Sequence, residues 1–428
     1  MARPTPSCPA GKPGPAGAVL DIADGVVVLD ESFTDNPYPM YELLRARRPV
    51  TKVRMGMNPP VWLVTEYDDV RAGLADPRLA KDATKLARIL RRAAGIPEDA
   101  DAFDMGLHDH MLHSDGPEHT RLRKLVSKAF TGRAAALLRP RIEALAAELA
   151  DAMAARLAAG EPSVDLIEDY AFPLPTTVIC EILGVPDDRR AEFGGWSRTM
   201  LSTAQPYEKL VATEALEEYL DKLVAGKAAD PGTDILSEIL APDEDADRLT
   251  HAEATAMASL LLVAGHETTV NLIGSGTLAL LRNPEQLTRL RENPELLPGA
   301  VEEFLRLESP VTTSTMRFTD EEVTIGGTTI PAGEIVLLAI GSANRDPGRF
   351  ERPDELDIER STRGSMAFGH GVHYCLGAAL GRIEGEVAFR VLLDRFPRLT
   401  LAVDPGELRW HNSILLRGLV ALPVGTDG

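Results

Sequence analysis

Residues Thr250 to Leu281 read as one long, largely apolar helix, and Asn283-Pro284 ends it because the position before a proline is pushed out of helical backbone. About 30 residues at ~1.5 Å each make a rod roughly 45 Å long, enough to cross a whole domain. Any fold for this chain has to be built around that rod. Leu138, Ile142, Leu145, Leu149, Met153 and Leu157 recur at steps of three or four and predict a second, Ala-rich helix whose apolar stripe is ordinary core. Leu376, Leu380, Ile383, Val387 and Val391 share that spacing and predict a third helix beginning near Cys375. Strand signals are few. "VWLV" (Val61 to Val64) is one, and "EVTIGGTTI" (Glu322 to Ile330) is predicted as a hairpin turning at Gly326-Gly327. The expected class is mainly α with a minor β region.

The 428 residues, 44% of them hydrophobic, suffice for one large core, and no repeat or internal linker divides them. The Pro- and Gly-rich start lacks the apolar stretch of a secretion signal and reads as a disordered tail. The expected organisation is a tail over residues 1–18, one domain over 19–424 and a short tail over 425–428. Net charge is −20, with 65 acidic against 45 basic residues, so neither nucleic acid nor an anionic membrane is expected as a partner. The three cysteines, Cys8, Cys180 and Cys375, argue against a disulfide framework and for a reducing compartment. No apolar run of about 18 residues suggests a membrane span. A soluble, cytoplasmic protein is expected.

"FGHGVHYCLG", Phe368 to Gly377, sets Cys375 among three glycines and two histidines. A lone cysteine reads either as a small buried hydrophobe or as a functional thiol. Gly369, Gly371 and Gly377 let such a loop fold tightly and aim backbone N–H groups at one atom. At the start of the third helix, the positive end of the dipole would lower the thiol pKa. A nucleophilic cysteine would need a base, and His373, two residues away on an extended loop, would point elsewhere. Axial ligation of a metal fits the pattern better.

With this loop the chain resembles the cytochrome P450 haem-thiolate monooxygenases, whose Phe-x-x-Gly-x-(Arg/His)-x-Cys-x-Gly signature it matches. The resemblance covers nearly the whole chain after the tail. It implies that family's single-domain fold, haem b (iron protoporphyrin IX) as cofactor, Cys375 as the proximal iron ligand and Phe368 in the haem-binding loop. Thiolate ligation is the feature that favours O–O cleavage.

"AGHET", Ala264 to Thr268, lies in the middle of the long helix, like the family's (Ala/Gly)-Gly-x-(Asp/Glu)-Thr stretch on the distal side. Thr268 has two readings, donation to the carbonyl of Ala264 or a hydrogen bond to dioxygen. Glu267 follows the apolar run "SLLLVAG", where an unpaired carboxylate is costly, and the resemblance implies that it relays protons. Gly265 weakens the helix by about 1 kcal/mol relative to Ala, and with Glu267 suggests a local groove for O2 and water.

Haem propionates call for cationic or hydrogen-bonding groups. His119 and Arg123 lie four apart on one helix face, matching the family's His-x-x-x-Arg pattern, and the resemblance adds Arg317 and His373. "EEFLR" supplies Glu303 and Arg306, the family's Glu-x-x-Arg core pair; as a surface pair they would contribute only tenths of a kcal/mol. The chain departs from the pattern at the third partner. "RPDELDIER" places Glu355 and Leu356 where the family usually has an arginine, so either Glu355 pairs with Arg306 or Arg352 substitutes.

"HDHMLH", His108 to His113, invites a zinc hydrolase, but its spacing matches no standard site. A haem gas sensor or carrier has no use for a proton relay, and a peroxide-driven enzyme generally lacks the acid–alcohol pair. The expectation is therefore a monooxygenase, drawing electrons from a ferredoxin and its reductase and working as a monomer. Arg121, Arg123, Lys124 and Lys128 would form the local basic docking patch. Leu260, Val263 and Ala264 share the helix face of Thr268. By resemblance Met111, Thr313 and the turn near Ile414 complete a pocket for a lipophilic small molecule. The motifs look most like actinobacterial macrolide and polyketide hydroxylases, with steroid-like substrates as the second reading. The acidic residues Glu98, Asp99, Asp101 and Asp104 are either a solvated loop or an attraction for a cationic amino sugar.

Overall fold

The structure, a computed structural model, describes residues 22–23, 25–30, 32–56, 58–93, 95–96, 110–201, 206–241 and 247–426. The expected N-terminal tail, the acidic residues between 98 and 104, and His108 lie outside the described residues. Six helices frame the site: α1 (Gly116–Ser127), α2 (Gly132–Ala158), α3 (Pro173–Ile182), α4 (His251–Leu281), α5 (Leu297–Glu308) and α6 (Ala378–Arg395).

α4 is the long rod. Thr250 caps it reciprocally with Glu253: the Glu253 N–H donates to the Thr250 hydroxyl at 3.2 Å, and the Thr250 N–H donates to the Glu253 carboxylate at 2.7 Å. At the far end the Asn283 amide donates to the Ala279 carbonyl at 2.8 Å, and Pro284 opens the next helix. Contrary to the expectation of no membrane-length run, α4 is long and apolar enough to cross a membrane by composition, with mean hydropathy 1.3. Yet 61% of that window is buried inside the protein, because α3, α5 and α6 pack around it. A helix apolar all round is what such a position requires.

α2 lies along α6. Its predicted stripe faces the core, with Ile142, Leu145 and Met153 buried and Leu138, Leu149 and Leu157 packed at the margin. α6 begins at Ala378 with Gly377 in the capping position, so Cys375 lies in the loop before the helix and does not open it.

The described strands, in chain order, are β1 (Ile22–Ala23), β2 (Val26–Leu29), β3 (Val50–Met55), β4 (Val61–Val64), β5 (Leu79–Ala80), β6 (Val164–Asp165), β7 (Arg317–Thr319), β8 (Val323–Ile325), β9 (Thr328–Ile330), β10 (Ile335–Leu338), β11 (Leu399–Leu401) and β12 (Pro423–Thr426). The largest sheet has the order β1-β2-β3-β4-β10-β7-β5, and its β5–β7 edge carries part of the site. β8 and β9 form the predicted hairpin, with Gly326 at φ 52° and Gly327 at φ 74° supplying the left-handed turn. β12 pairs Thr426 with Leu399 and Gly425 with Thr400, so these two residues belong to the folded body and not to the expected C-terminal tail.

Candidate active site

The Cys375 loop is held by its own backbone. The Cys375 N–H donates to the Phe368 carbonyl at 2.9 Å, and Gly369 and Gly371 take φ values of 75° and 78°. At Gly371 a side chain would also strike the backbone of Leu74 and Ala75, at 3.0 and 3.1 Å. Fully buried Asn344 ties the approach to the loop onto the end of α5: its side-chain oxygen accepts from the Met366 N–H at 2.8 Å and its amide donates to Ser309 Oγ at 3.0 Å. The Arg382 guanidinium lies over the Phe368 ring, 4.4 Å from its centroid.

Cys375 has open surface, but the protein crowded around its sulfur pushes the thiol up; the Gly377 N–H, Arg123 and Arg382 only partly oppose this. The expected lowering by a helix dipole is therefore not found. The helix starts three residues later, and desolvation of the anion outweighs the nearby donors.

Beside the loop the structure brings together His119, Arg123, Arg317 and His373. The His119 and His373 rings stand 4.3 Å apart, His373 Nε2 is 4.0 Å from Asp115 Oδ1, and Arg123 donates to the Tyr374 carbonyl at 2.7 Å. Arg317 is buried and donates to the carbonyls of Leu79 and Leu74 at 3.0 and 3.2 Å. Burial holds His119 below the ordinary histidine range, His373 at about 4 and Arg317 at about 10. His119 Nε2 and Arg317 Nε are buried with no hydrogen-bond partner. Unpartnered polar nitrogens beside Arg123 and Arg317, next to a glycine-shaped loop that presents a thiol, fit what haem requires.

In the middle of α4, Glu267 is buried and its carboxyl is pushed up to about 7 by desolvation, with Asn271 opposing. His266 Nδ1 lies 2.8 Å from the Leu262 carbonyl, and its Nε2 lies 4.0 Å from Glu267 Oε2. The Thr268 hydroxyl donates to the Ala264 carbonyl at 3.1 Å, the first of its two readings. Gly265 does not open a groove: a side chain there would meet Ile179 of α3 at 2.9 Å, so this glycine lets the two helices close on each other. Leu260 and Val263 are half-buried and Ala264 is exposed beside Thr268.

Of the other expected pocket residues, Met111 is buried in the main core and Ile414 packs against the core under the N-terminal strands. Thr313 is fully buried, and with Thr312 it anchors the turn by donating to the Ile414 carbonyl, at 3.1 and 2.7 Å respectively.

Behind the loop, Arg306 holds Glu303 through two hydrogen bonds of 2.7 and 2.8 Å, both side chains being fully buried. The third partner is Arg360, whose Nε donates to Glu303 Oε1 at 3.1 Å. Both expected candidates fail. Glu355 offers Arg306 only its carbonyl, at 3.4 Å, and its carboxylate pairs with exposed Arg352 at 2.9 Å. Arg121 also leaves the expected basic patch, because Glu118, Asp247 and Glu253 surround its guanidinium. His110 and His113 stack at 4.5 Å, and among the described residues no group of three or more His, Cys, Asp or Glu could hold a metal ion.

Besides Arg360, two buried charged residues stand outside the sequence motifs. Glu384 on α6 is fully buried, accepts from Thr269 at 3.0 Å and is pushed up to about 8 by burial. Lys81 is buried near Arg317. An acid inside the apolar stripe of α6 was a signal for the first; the second had none.

A family model described as Cytochrome P450 matches residues 193–417. The chain is similar to Vitamin D(3) 25-hydroxylase of Pseudonocardia autotrophica, with 48% identity over 92% of this chain and 94% of that protein. It is similar to 6-deoxyerythronolide B hydroxylase of Saccharopolyspora erythraea, with 43% identity over 93% of this chain and 98% of that one. Among solved structures it resembles the tirandamycin C-bound P450 monooxygenase TamI, with a TM-score of 0.84 and 49% identity over 94% of this chain and 100% of that one.

Proposed function

The chain belongs to the cytochrome P450 family, and we propose that it hydroxylates or epoxidises a macrolide or other polyketide, with haem b held by Cys375. As a P450 monooxygenase it acts on a lipophilic substrate with O2 and haem: substrate-H, O2, two electrons and two protons give substrate-OH and water. Bound haem supplies the oxygen activation. The protein's own part is division of labour. His119, Arg123, Arg317 and His373 hold the propionates, and Leu260, Val263 and Ala264 give the substrate an apolar wall beside Thr268.

The observation that carries this reading is Glu267. A buried carboxyl at about 7, next to a threonine hydroxyl, can take and give a proton at neutral pH, as a relay to reduced oxygen requires. Similarity to 6-deoxyerythronolide B hydroxylase and to a tirandamycin C-bound enzyme supports the polyketide class; similarity to Vitamin D(3) 25-hydroxylase favours a steroid-like lipophile as the second reading. Electrons come from a ferredoxin and its reductase. They dock on the patch of Arg123, Lys124 and Lys128, where Arg123 meets the carbonyl of exposed Tyr374, and the enzyme works as a cytoplasmic monomer.

The test is a panel of macrolides, linear polyketides and steroids, read by the spin-state shift of the iron after a reduced carbon monoxide spectrum has established the thiolate. Macrolides or other polyketides should give the tightest shifts. A response confined to steroids selects the second reading, and a carbon monoxide spectrum without the thiolate signature removes both.

A further inference from the structure

Lys81 directly follows β5. In the antiparallel β5–β7 pair, Leu79 faces Thr319 and Ala80 faces Phe318, so one further step in the same register sets Lys81 against Arg317. Like charges opposite each other on neighbouring strands are destabilising. Here both are also buried, Lys81 at 2% and Arg317 at 4% exposure, where a cation without an anion costs most.

Among the described residues the acids acting on this pair are Asp115 and Asp76, and both are already engaged. The Lys81 Nζ donates to the Thr315 hydroxyl, a neutral partner. Asp115 is the carboxylate of the cluster, and its oxygens are engaged: Oδ2 accepts the backbone N–H groups of Lys81 and Asp82 at 2.6 and 3.0 Å, and Oδ1 faces His373 at 4.0 Å. Asp76, the other acid acting on Arg317, is bound to Arg78 at 2.6 Å. One engaged carboxylate therefore serves Lys81, Arg317, His119 and His373, while Arg317 Nε and His119 Nε2 have no partner.

We propose that Lys81 is a further haem-binding residue, pairing with a propionate carboxylate together with Arg317. The proposal rests on the haem reading above and adds to it a cation that no motif supplies. It explains why a lysine is kept where burial and Arg317 both depress its amine well below the ordinary lysine range, with Asp115 opposing. A carboxylate beside the pair turns a mutual repulsion into two charge-assisted hydrogen bonds.

Release of haem from the holoprotein to excess apomyoglobin tests it. Lys81→Met should release haem about tenfold faster than wild type, the factor that one hydrogen bond to a charged group supplies. Lys81→Arg should stay within about threefold, because it keeps the charge. Thr315→Val, which removes the tether but keeps the amine, separates binding from scaffolding. Release unchanged in Lys81→Met, or accelerated equally by Thr315→Val, overturns the proposal. If Lys81→Met does not fold, a tenfold acceleration in Thr315→Val alone overturns it. A wild-type protein that binds no haem would instead fail the underlying reading.

Discussion

In the scaffold behind the Cys375 loop the buried charges are paired. Glu303 takes four hydrogen bonds, two from Arg306 and one each from Arg360 and the Asp357 N–H, and the loop closes on its own backbone and on Asn344. In the middle of α4 the acid is buried beside Asn271 and the His266 ring with a carboxyl near 7, and Thr268 bonds to its own helix. The first region is built to hold one geometry under load. The second leaves a proton loosely committed, which is what exchange with a substrate or with water needs. Rigidity on one side lets the other remain chemically unsettled without losing its place.

The contrast breaks most severely at Arg306. Arg306→Leu leaves Glu303 fully buried with Arg360 as its one remaining cation, and should cost about 3–5 kcal/mol, seen as loss of folded haem protein. Arg360→Leu leaves the bidentate pair intact and should cost clearly less. Equal losses from the two would show that Arg306 is not the centre of the network.

Glu267→Gln probes the other side. It keeps shape and burial but cannot carry a proton, so turnover should fall about 100-fold, the scale of one general acid–base group, while folded yield is unchanged. Wild-type turnover should also decline as pH rises through about 7, where the carboxyl loses the proton it has to deliver. That inflection should be absent in the variant. A variant with wild-type turnover and the same pH profile would move the relay to another residue.

What could be read in advance follows the same division. The Cys375 loop, the Glu303–Arg306 pair and the His119–Arg123 pair are contiguous motifs, and their match to the family's patterns is what makes them legible. Arg360 was hidden because Arg352 adopts a left-handed conformation, φ 46°, and the segment beyond it offers Arg306 the carbonyl of Glu355 rather than its carboxylate. Lys81 was hidden because its neighbour Arg317 comes from more than 200 residues away through a strand pairing. Thr313 bonds to the turn at Ile414, a contact about 100 residues away in sequence that no local pattern signals.

The smallest predicted effect lies where the two regions meet. Glu384 of α6 accepts from Thr269 of α4 at 3.0 Å, and its second oxygen is buried without a partner. Burial raises its carboxyl from an unfolded value near 4.5 to about 8, so folding favours the protonated form. The resulting stability is fully present below about pH 4.5 and is lost as pH rises through 8. Glu384→Gln mimics the protonated side chain at every pH and keeps an acceptor for Thr269. At pH 5 the variant should melt close to wild type. At pH 8.5 it should melt higher, by about 1 °C for each kcal/mol of charge burial avoided. If both proteins lose melting temperature equally between these pH values, the carboxyl is not held protonated, and the joint between α4 and α6 belongs with the fully answered region rather than with the loosely committed one.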